Sequence, residues 1–111
     1  MNYILLVAVM VLVKKSNKVR YLIQKELNKI FTDYDFIICP TSPILPFKLG
    51  EKIENPLSMY LSDICTLFVN LAGLPAISLP CWYSQEGLPI GLQIIGGYLQ
   101  DEKVLLGAYC Y

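Results

Sequence analysis

Histidine is absent from this chain of 111 residues. Cys-His pairs and Ser-His-Asp triads use an imidazole as their base, so these residues contain neither mechanism. Close cysteine pairs are absent as well, and structural zinc sites need closely spaced ligand pairs, so we expect no metal site. We interpret the cysteines as free thiols in a reducing compartment, the alternative being two disulfides in a secreted protein. The cysteines are Cys39, Cys65, Cys81 and Cys110.

Charge is scarce and balanced in this sequence. Charged residues make up 16% of the chain, whereas soluble domains average about 25%. Nine basic and nine acidic residues give a formal net charge of zero, so no overall field attracts nucleic acid or an anionic membrane. The apolar fraction is 55% and the mean hydropathy is +0.50, which is more than a small domain can easily bury. We therefore expect surfaces that further protein covers, and no direct binding of nucleic acid.

A hydrophobic run long enough to cross a bilayer is also missing. Residues Ile4 to Val13 are uninterruptedly apolar and are followed by Lys14 and Lys15, but a membrane-spanning helix needs about 18 such residues. A signal peptide would carry a basic segment before this run and a small-residue cleavage site after it. We interpret the run as a buried strand or helix segment.

Phosphate-binding and nucleophile motifs are absent. The glycines form neither GxxxxGK[ST] nor a helix-leading GxGxxG, so we expect no ATP binding by these residues. The serines are scattered and none lies in a glycine-rich turn, so we interpret them as cap, turn or sheet-face residues. The sequence therefore predicts no catalytic residue. The serines are Ser16, Ser42, Ser58, Ser62, Ser78 and Ser84.

The hydropathy pattern that is present predicts a mixed α/β fold with about three strands. The apolar run at 36–39 is typical of a strand covered on both faces. Pro80 has no N–H to donate, so its strand should lie at a sheet edge or contain a bulge. The strand at 90–95 should pair antiparallel with it. In chain order we predict a helix over 16–31, a strand over 36–39, a helix over 56–72, strands over 76–83 and 90–95, and a helix from 101. Asn55 should cap the second helix and Gly73 should end it. In the last helix, Val104, Leu105 and Ala108 should face inward.

Asp63 is the one candidate binding residue. It lies at the margin of the apolar stripe of the second predicted helix, roughly 40° outside Leu67. It is also the only charged residue between Glu54 and Glu86. A carboxylate beside a packed face must be solvated, paired or reserved for a ligand cation, because burying it unpaired costs several kcal/mol. On spacing alone, a rim aspartate in water or bonded to the backbone and a ligand contact both remain open.

Several motifs together resemble the amidase-signature family. VNLAGLPAISLP at 69–80 and GLPIGLQIIGG at 87–97 are general to that family. CPTSP at 39–43, FKLGEK at 47–52 and NPLSMYLSD at 55–63 are more specific, and they resemble the A subunits of glutamyl-tRNA(Gln) amidotransferases. The resemblance covers residues 16–111. It implies the C-terminal part of an amidase-signature α/β/α fold with a mixed sheet, incomplete as an independent domain, preceded by a separate apolar segment at 1–15.

The resemblance also implies a function. Such proteins are glutaminases that use a Ser-Ser-Lys constellation to release ammonia for converting Glu-tRNA(Gln) to Gln-tRNA(Gln). The B subunit of the complex uses ATP and magnesium, the C subunit clasps the other two, and tRNA reaches the complex through them. The position matching Asp63 holds the α-ammonium of glutamine. The catalytic groups are expected upstream of these residues, so this chain alone should be inactive, without a cofactor of its own, and located in the cytoplasm or an organellar matrix.

Alternative interpretations stay open at this point. The chain could be a carboxy-terminal fragment, which we favour, or a split subunit completed by a partner, or a membrane-associated or binding remnant without catalysis. A fragment of a general carboxamide-hydrolysing amidase is a further alternative. Residues 5–13 depart from the polar helical pattern of the family, which fits a frameshift or a wrongly assigned start.

Overall fold

The computed structural model describes residues 3–51 and 55–111, with side chains from residue 10 onward. Helices and strands are interspersed along the chain, which confirms the predicted α/β class. The elements are α1 (Tyr3–Asp33), β1 (Ile37–Pro40), α2 (Pro56–Ser62), α3 (Ile64–Ala72), β2 (Ala76–Tyr83), β3 (Pro89–Ile95) and α4 (Asp101–Cys110).

The sheet is antiparallel and has β3 in its centre, with β1 and β2 on either side. The predicted pairing of β2 with β3 is confirmed, and Ile95 lies opposite both Ile37 and Ala76. Both expectations for Pro80 are met, because β2 is an edge strand and its register shifts between Pro80 and Trp82. Such a shift moves the following side chains to the other face. Strict alternation would place Tyr83 on the half-buried face of Ile77 and Leu79, and Tyr83 is instead exposed.

Helices pack on both faces of this sheet. Ile95 is fully buried against α1 and α3. Ile94 is 4% exposed and points to the opposite face, because side chains alternate along a strand. Gly96 shares the face of Ile94 and lies directly against Val104 of α4, so α4 covers that side. The core on the α1 and α3 side contains Ile23, Leu27, Phe31, Ile37, Cys39, Phe68, Val69, Ala72, Leu74 and Ile95.

Helix α1 is longer and more exposed than the sequence predicts. It runs without a break from Tyr3 to Asp33 and does not begin at Ser16. The predicted burial of the apolar run is wrong for residues 10–13, which are all exposed because no described part of the chain covers them. The same expectation for residues 4–9 lies outside the described side chains. Among the described residues, no helix combines the length and hydropathy needed to cross a membrane.

Two other burial predictions are wrong for the same reason. The apolar pattern of β1 predicts cover on both faces, but Ile38 is 60% exposed. The cause is that β1 is an edge strand, while α4 lies against β2 and β3. In α4 itself, Val104 is buried as predicted and Leu105, also predicted to face inward, is exposed. One face of the sheet is therefore only partly covered within this chain.

The start of α2 is set by a local cap. The Asn55 side-chain oxygen accepts a hydrogen bond from the Ser58 N–H at 3.2 Å, and Pro56 occupies the first helical position, which confirms the predicted start. Replacing Asn55 by alanine should lower the free energy of unfolding by about 1 kcal/mol, because an orphan N–H loses its acceptor. Asn55→Ser keeps a capping oxygen and is the matched control. Equal urea midpoints for the two variants would contradict this role.

Candidate functional site

Asp63 lies at a break between two helices. The single helix predicted over 56–72 is wrong, because α2 ends at Ser62 and α3 begins at Ile64. Asp63 has φ −100° and ψ 2°, which is outside the helical region. Its N–H donates to the Tyr60 carbonyl at 3.1 Å, and its own carbonyl accepts from the Thr66 N–H at 3.1 Å. Each of these hydrogen bonds joins residues that are three positions apart. Together they end one helix and start the next at the same residue.

Short polar side chains accompany this break. The Ser62 hydroxyl donates to the Met59 carbonyl at 2.5 Å, and the Thr66 hydroxyl donates to the Asp63 carbonyl at 2.9 Å. Such side chains offer backbone groups an alternative to the regular helical ladder. The sequence signal for the break was therefore the Ser62-Asp63 pair followed by Thr66, set against a continuous apolar stripe that predicted one helix.

Two residues from other elements hold the break in place. The Ser42 hydroxyl, just after β1, donates to the Ser62 carbonyl at 3.0 Å. The side-chain amide of Gln93 in β3 donates to the Cys65 carbonyl at 3.1 Å and to the Cys39 sulfur at 3.3 Å. The backbone on each side of Asp63 is thus tied to a different part of the sheet layer. Sequence reasoning singled out neither Ser42 nor Gln93 for this role.

Asp63 opens onto a groove of about 450 Å³. The walls are the proline-rich segment 41–47 and the helix break, with residues 89–91 at one end. Of the described residues that line the groove, Asp63 alone carries a charge, and apolar side chains such as Ile44 and Phe47 form much of the wall. The carboxylate is exposed and makes no capping hydrogen bond. This arrangement suits a small ligand that has one cationic group.

A close approach of β1 and β3 shapes the end of the groove. The Thr41 N–H donates to the Gly91 carbonyl at 3.0 Å, and the Thr41 hydroxyl lies 2.7 Å from the Ser78 hydroxyl. A Cβ on Gly91 would lie 2.9 Å from the Thr41 oxygen, so a side chain there would displace the threonine. The lack of a side chain at Gly91 therefore lets Thr41 keep its place at this end of the groove. No local sequence signal marks Thr41 and Gly91, because their contact crosses between strands.

Ser84 occupies a structural position in a turn. The Ser84 hydroxyl accepts hydrogen bonds from the Glu86 N–H at 3.3 Å and the Leu88 N–H at 3.1 Å, in the turn between β2 and β3. The four cysteines are free thiols, and Cys110 is exposed. Asp63, the one residue singled out from the sequence for binding, lines the groove.

Comparison with known proteins identifies the family. Residues 4–105 match the Amidase family. The chain belongs to this family. It is 56% identical over 97 residues to the A subunit of the glutamyl-tRNA(Gln) amidotransferase of Trichodesmium erythraeum, an alignment that covers 87% of this chain and 20% of the relative. The chain therefore spans about a fifth of the length of such relatives.

Solved amidase structures share its fold. The crystal structure of the A subunit of the Thermotoga maritima glutamyl-tRNA(Gln) amidotransferase superimposes with a TM-score of 0.71 at 53% identity, covering 78% of this chain and 19% of that one. The allophanate hydrolase of Kluyveromyces lactis superimposes with a TM-score of 0.67 at 34% identity, covering 80% and 14%. These likenesses confirm that the chain has the architecture of one part of an amidase-signature fold.

Proposed function

We propose that this chain forms the part of a glutaminase subunit that binds the α-ammonium of glutamine. The observation that carries the proposal is Asp63, the lone charged group among the described residues of a largely apolar groove. The break between α2 and α3 presents its carboxylate there without a capping bond. The 56% identity to the A subunit of a glutamyl-tRNA(Gln) amidotransferase supports glutamine as the ligand.

The chemistry divides between this segment and the rest of the glutaminase. Asp63 accepts charge-assisted hydrogen bonds from the ammonium, and these are stronger than bonds between neutral groups. A serine nucleophile, a second serine and a lysine, supplied by the part of the relatives' length that this chain does not span, cleave the side-chain amide. The chain orients the substrate and leaves bond cleavage to those groups.

The released ammonia serves the amidotransferase reaction in this proposal. The B subunit, with ATP and magnesium, activates the glutamate carried by tRNA(Gln), and ammonia converts it to the amide. The C subunit joins the two larger ones, and tRNA is bound through those partners and not by this chain, whose net charge is zero. The complex works in the cytoplasm or in an organellar matrix.

A segment exchange tests the proposal directly. The chain replaces its matching segment in the A subunit of the Thermotoga maritima enzyme, and this chimera is assembled with its partner subunits. We expect the isolated chain to show no glutamine hydrolysis, because it lacks the catalytic groups. The chimera should hydrolyse glutamine within about tenfold of the parent rate, a margin that allows for a misplacement well below 1 Å at the site, because the exchanged segments are 53% identical.

Two controls decide what a negative result means. The parent complex measures full activity, and the parent without the matched segment should be inactive. A chimera that assembles and resists proteolysis like the parent, yet hydrolyses no glutamine, would contradict the proposal. Glutaminase activity of the isolated chain would contradict it as well.

A general amidase is the second candidate, supported by the likeness to the Kluyveromyces lactis allophanate hydrolase at a TM-score of 0.67. Such an enzyme has no need for a carboxylate that binds an ammonium group. The two candidates therefore differ in substrate preference. A chimera that hydrolyses simple carboxamides as well as it hydrolyses glutamine would favour the general amidase.

A further inference from the structure

Gln93 is a buried polar residue in the central strand. Only 4% of its surface is exposed, and it lies on the face of β3 that packs against α1 and α3. Its side-chain nitrogen donates to the Cys65 carbonyl at 3.1 Å and to the Cys39 sulfur at 3.3 Å. A side-chain amide has two N–H donors, so these contacts use its full donor capacity. One amide therefore joins β3 to β1 and to the first turn of α3.

The first turn of α3 is the part of that helix that positions Asp63. Cys65 follows Asp63 by two residues. A hydrogen bond to its carbonyl therefore fixes the distance between the start of α3 and the sheet. On the other side, the Ser42 hydroxyl fixes the Ser62 carbonyl at 3.0 Å. Asp63 lies between the two tethered peptides. Its backbone is outside the regular helical region, so the ladder of neither helix alone determines where its carboxylate points.

We infer that Gln93 is a positioning residue, which holds Asp63 in the geometry that the ligand ammonium requires. This inference rests on the proposed function of Asp63. Gln93 does not line the groove, so its influence on the ligand passes through the helix break. The ligand class affected is an amino acid amide with a free α-ammonium, and substrates without that group are unaffected by the tether.

A purely structural role for Gln93 makes a different prediction. Buried polar groups need partners, because a group left unsatisfied loses its hydrogen bonds to water without replacement. If Gln93 only met that need, its loss would lower stability and reduce the activity toward every substrate by the same factor. If Gln93 instead positions Asp63, its loss lowers the preference for substrates that carry the ammonium over matched substrates that lack it.

The test uses the chimera with the substitution Gln93→Met, which keeps the length of the side chain and removes its N–H donors. Two substrates are compared, glutamine and 5-amino-5-oxopentanoate, which is the glutamine skeleton without its α-amino group. We expect KM for glutamine to rise about three- to tenfold with kcat nearly unchanged, since displacements of about 1 Å at a site have effects of this size or larger. Both constants for the second substrate should stay within about twofold of the unsubstituted values.

A second variant and a double substitution complete the test. Gln93→Asn retains an amide that is too short to reach Cys65, and it replaces Gln93→Met if that variant does not fold. In a chimera that already contains Asp63→Asn, the change at Gln93 should cause no further loss of preference for glutamine. Such non-additivity is the signature of two residues that act through one contact.

Each outcome supports or overturns a defined statement. If Asp63→Asn lowers the preference for glutamine and the Gln93 variants do not, the positioning role is overturned and the proposed function stands. Equal loss with both substrates also overturns it. If Asp63→Asn leaves the preference unchanged, the ammonium contact fails, and the role of Gln93 fails with it.

Discussion

Replacing Asp63 by asparagine in the chimera should raise KM for glutamine roughly 10- to 100-fold, with a smaller effect on kcat. A hydrogen bond to a charged group contributes about 1.5–3 kcal/mol, and each 1.4 kcal/mol corresponds to a factor of about ten in affinity. Asparagine keeps the size of the side chain and one acceptor oxygen, so the loss reports on the charge. Steady-state kinetics with glutamine and with 5-amino-5-oxopentanoate measure it, and KM for the second substrate should hardly change.

The matched control for this prediction is Asp101→Asn. Asp101 is an exposed aspartate in the first turn of α4, and it does not line the groove. Removing its charge changes the net charge by the same amount as Asp63→Asn does, and should leave both KM values unchanged. If Asp63→Asn also leaves the preference for glutamine intact, Asp63 is a rim aspartate in water, which was the alternative from its spacing alone.

The elements that sequence reasoning predicted well depend on local chemistry. Asn55 and Pro56 start α2 through a cap and a proline that has no N–H to satisfy. Gly73 ends α3 with φ 65°, a left-handed conformation that suits glycine. Pro80 marks the irregularity in β2 because it cannot donate to its neighbour. In each case the determining interaction lies within a few residues of the signal.

Burial was predicted less well, because it depends on what covers a surface. The apolar residues at 10–13, Ile38 and Leu105 all have the pattern of packed positions, and all are exposed. Periodicity shows which side chains share a face, but it does not say whether another element lies against that face. The chain spans about a fifth of the length of its relatives, so the partners of these faces are not part of the local pattern.

The candidate site was also predicted only in part. Asp63 stood out because no other charged residue occurs between Glu54 and Glu86, which can be read directly from the sequence. The helix break that presents it was missed, because two of its tethers come from Ser42 and Gln93, which are 20 and 28 residues from the carbonyls they bind. An apolar stripe that continues through the break outweighed the short-range signal of Ser62 and Thr66.

Replacing Ile95 by alanine should lower the free energy of unfolding of the chimera by about 2–5 kcal/mol. Ile95 is fully buried in the central strand, and it packs with α3 residues Val69 and Ala72 and with partly buried side chains of α1. Truncation removes apolar atoms from water-free surroundings and leaves a cavity between the helices and the sheet. Urea unfolding, followed by a probe of tertiary structure, measures the change in midpoint.

The graded control is Ile95→Val, which removes a single carbon atom and should cost about 0.5–1.5 kcal/mol. A cost that rises steeply from valine to alanine would show that Ile95 lies in a closely packed core. Similar small costs for both variants would mean that the helices do not pack tightly on this face of β3. In that case α3 would be poorly fixed on the sheet, and Asp63 at its start would lack a rigid support.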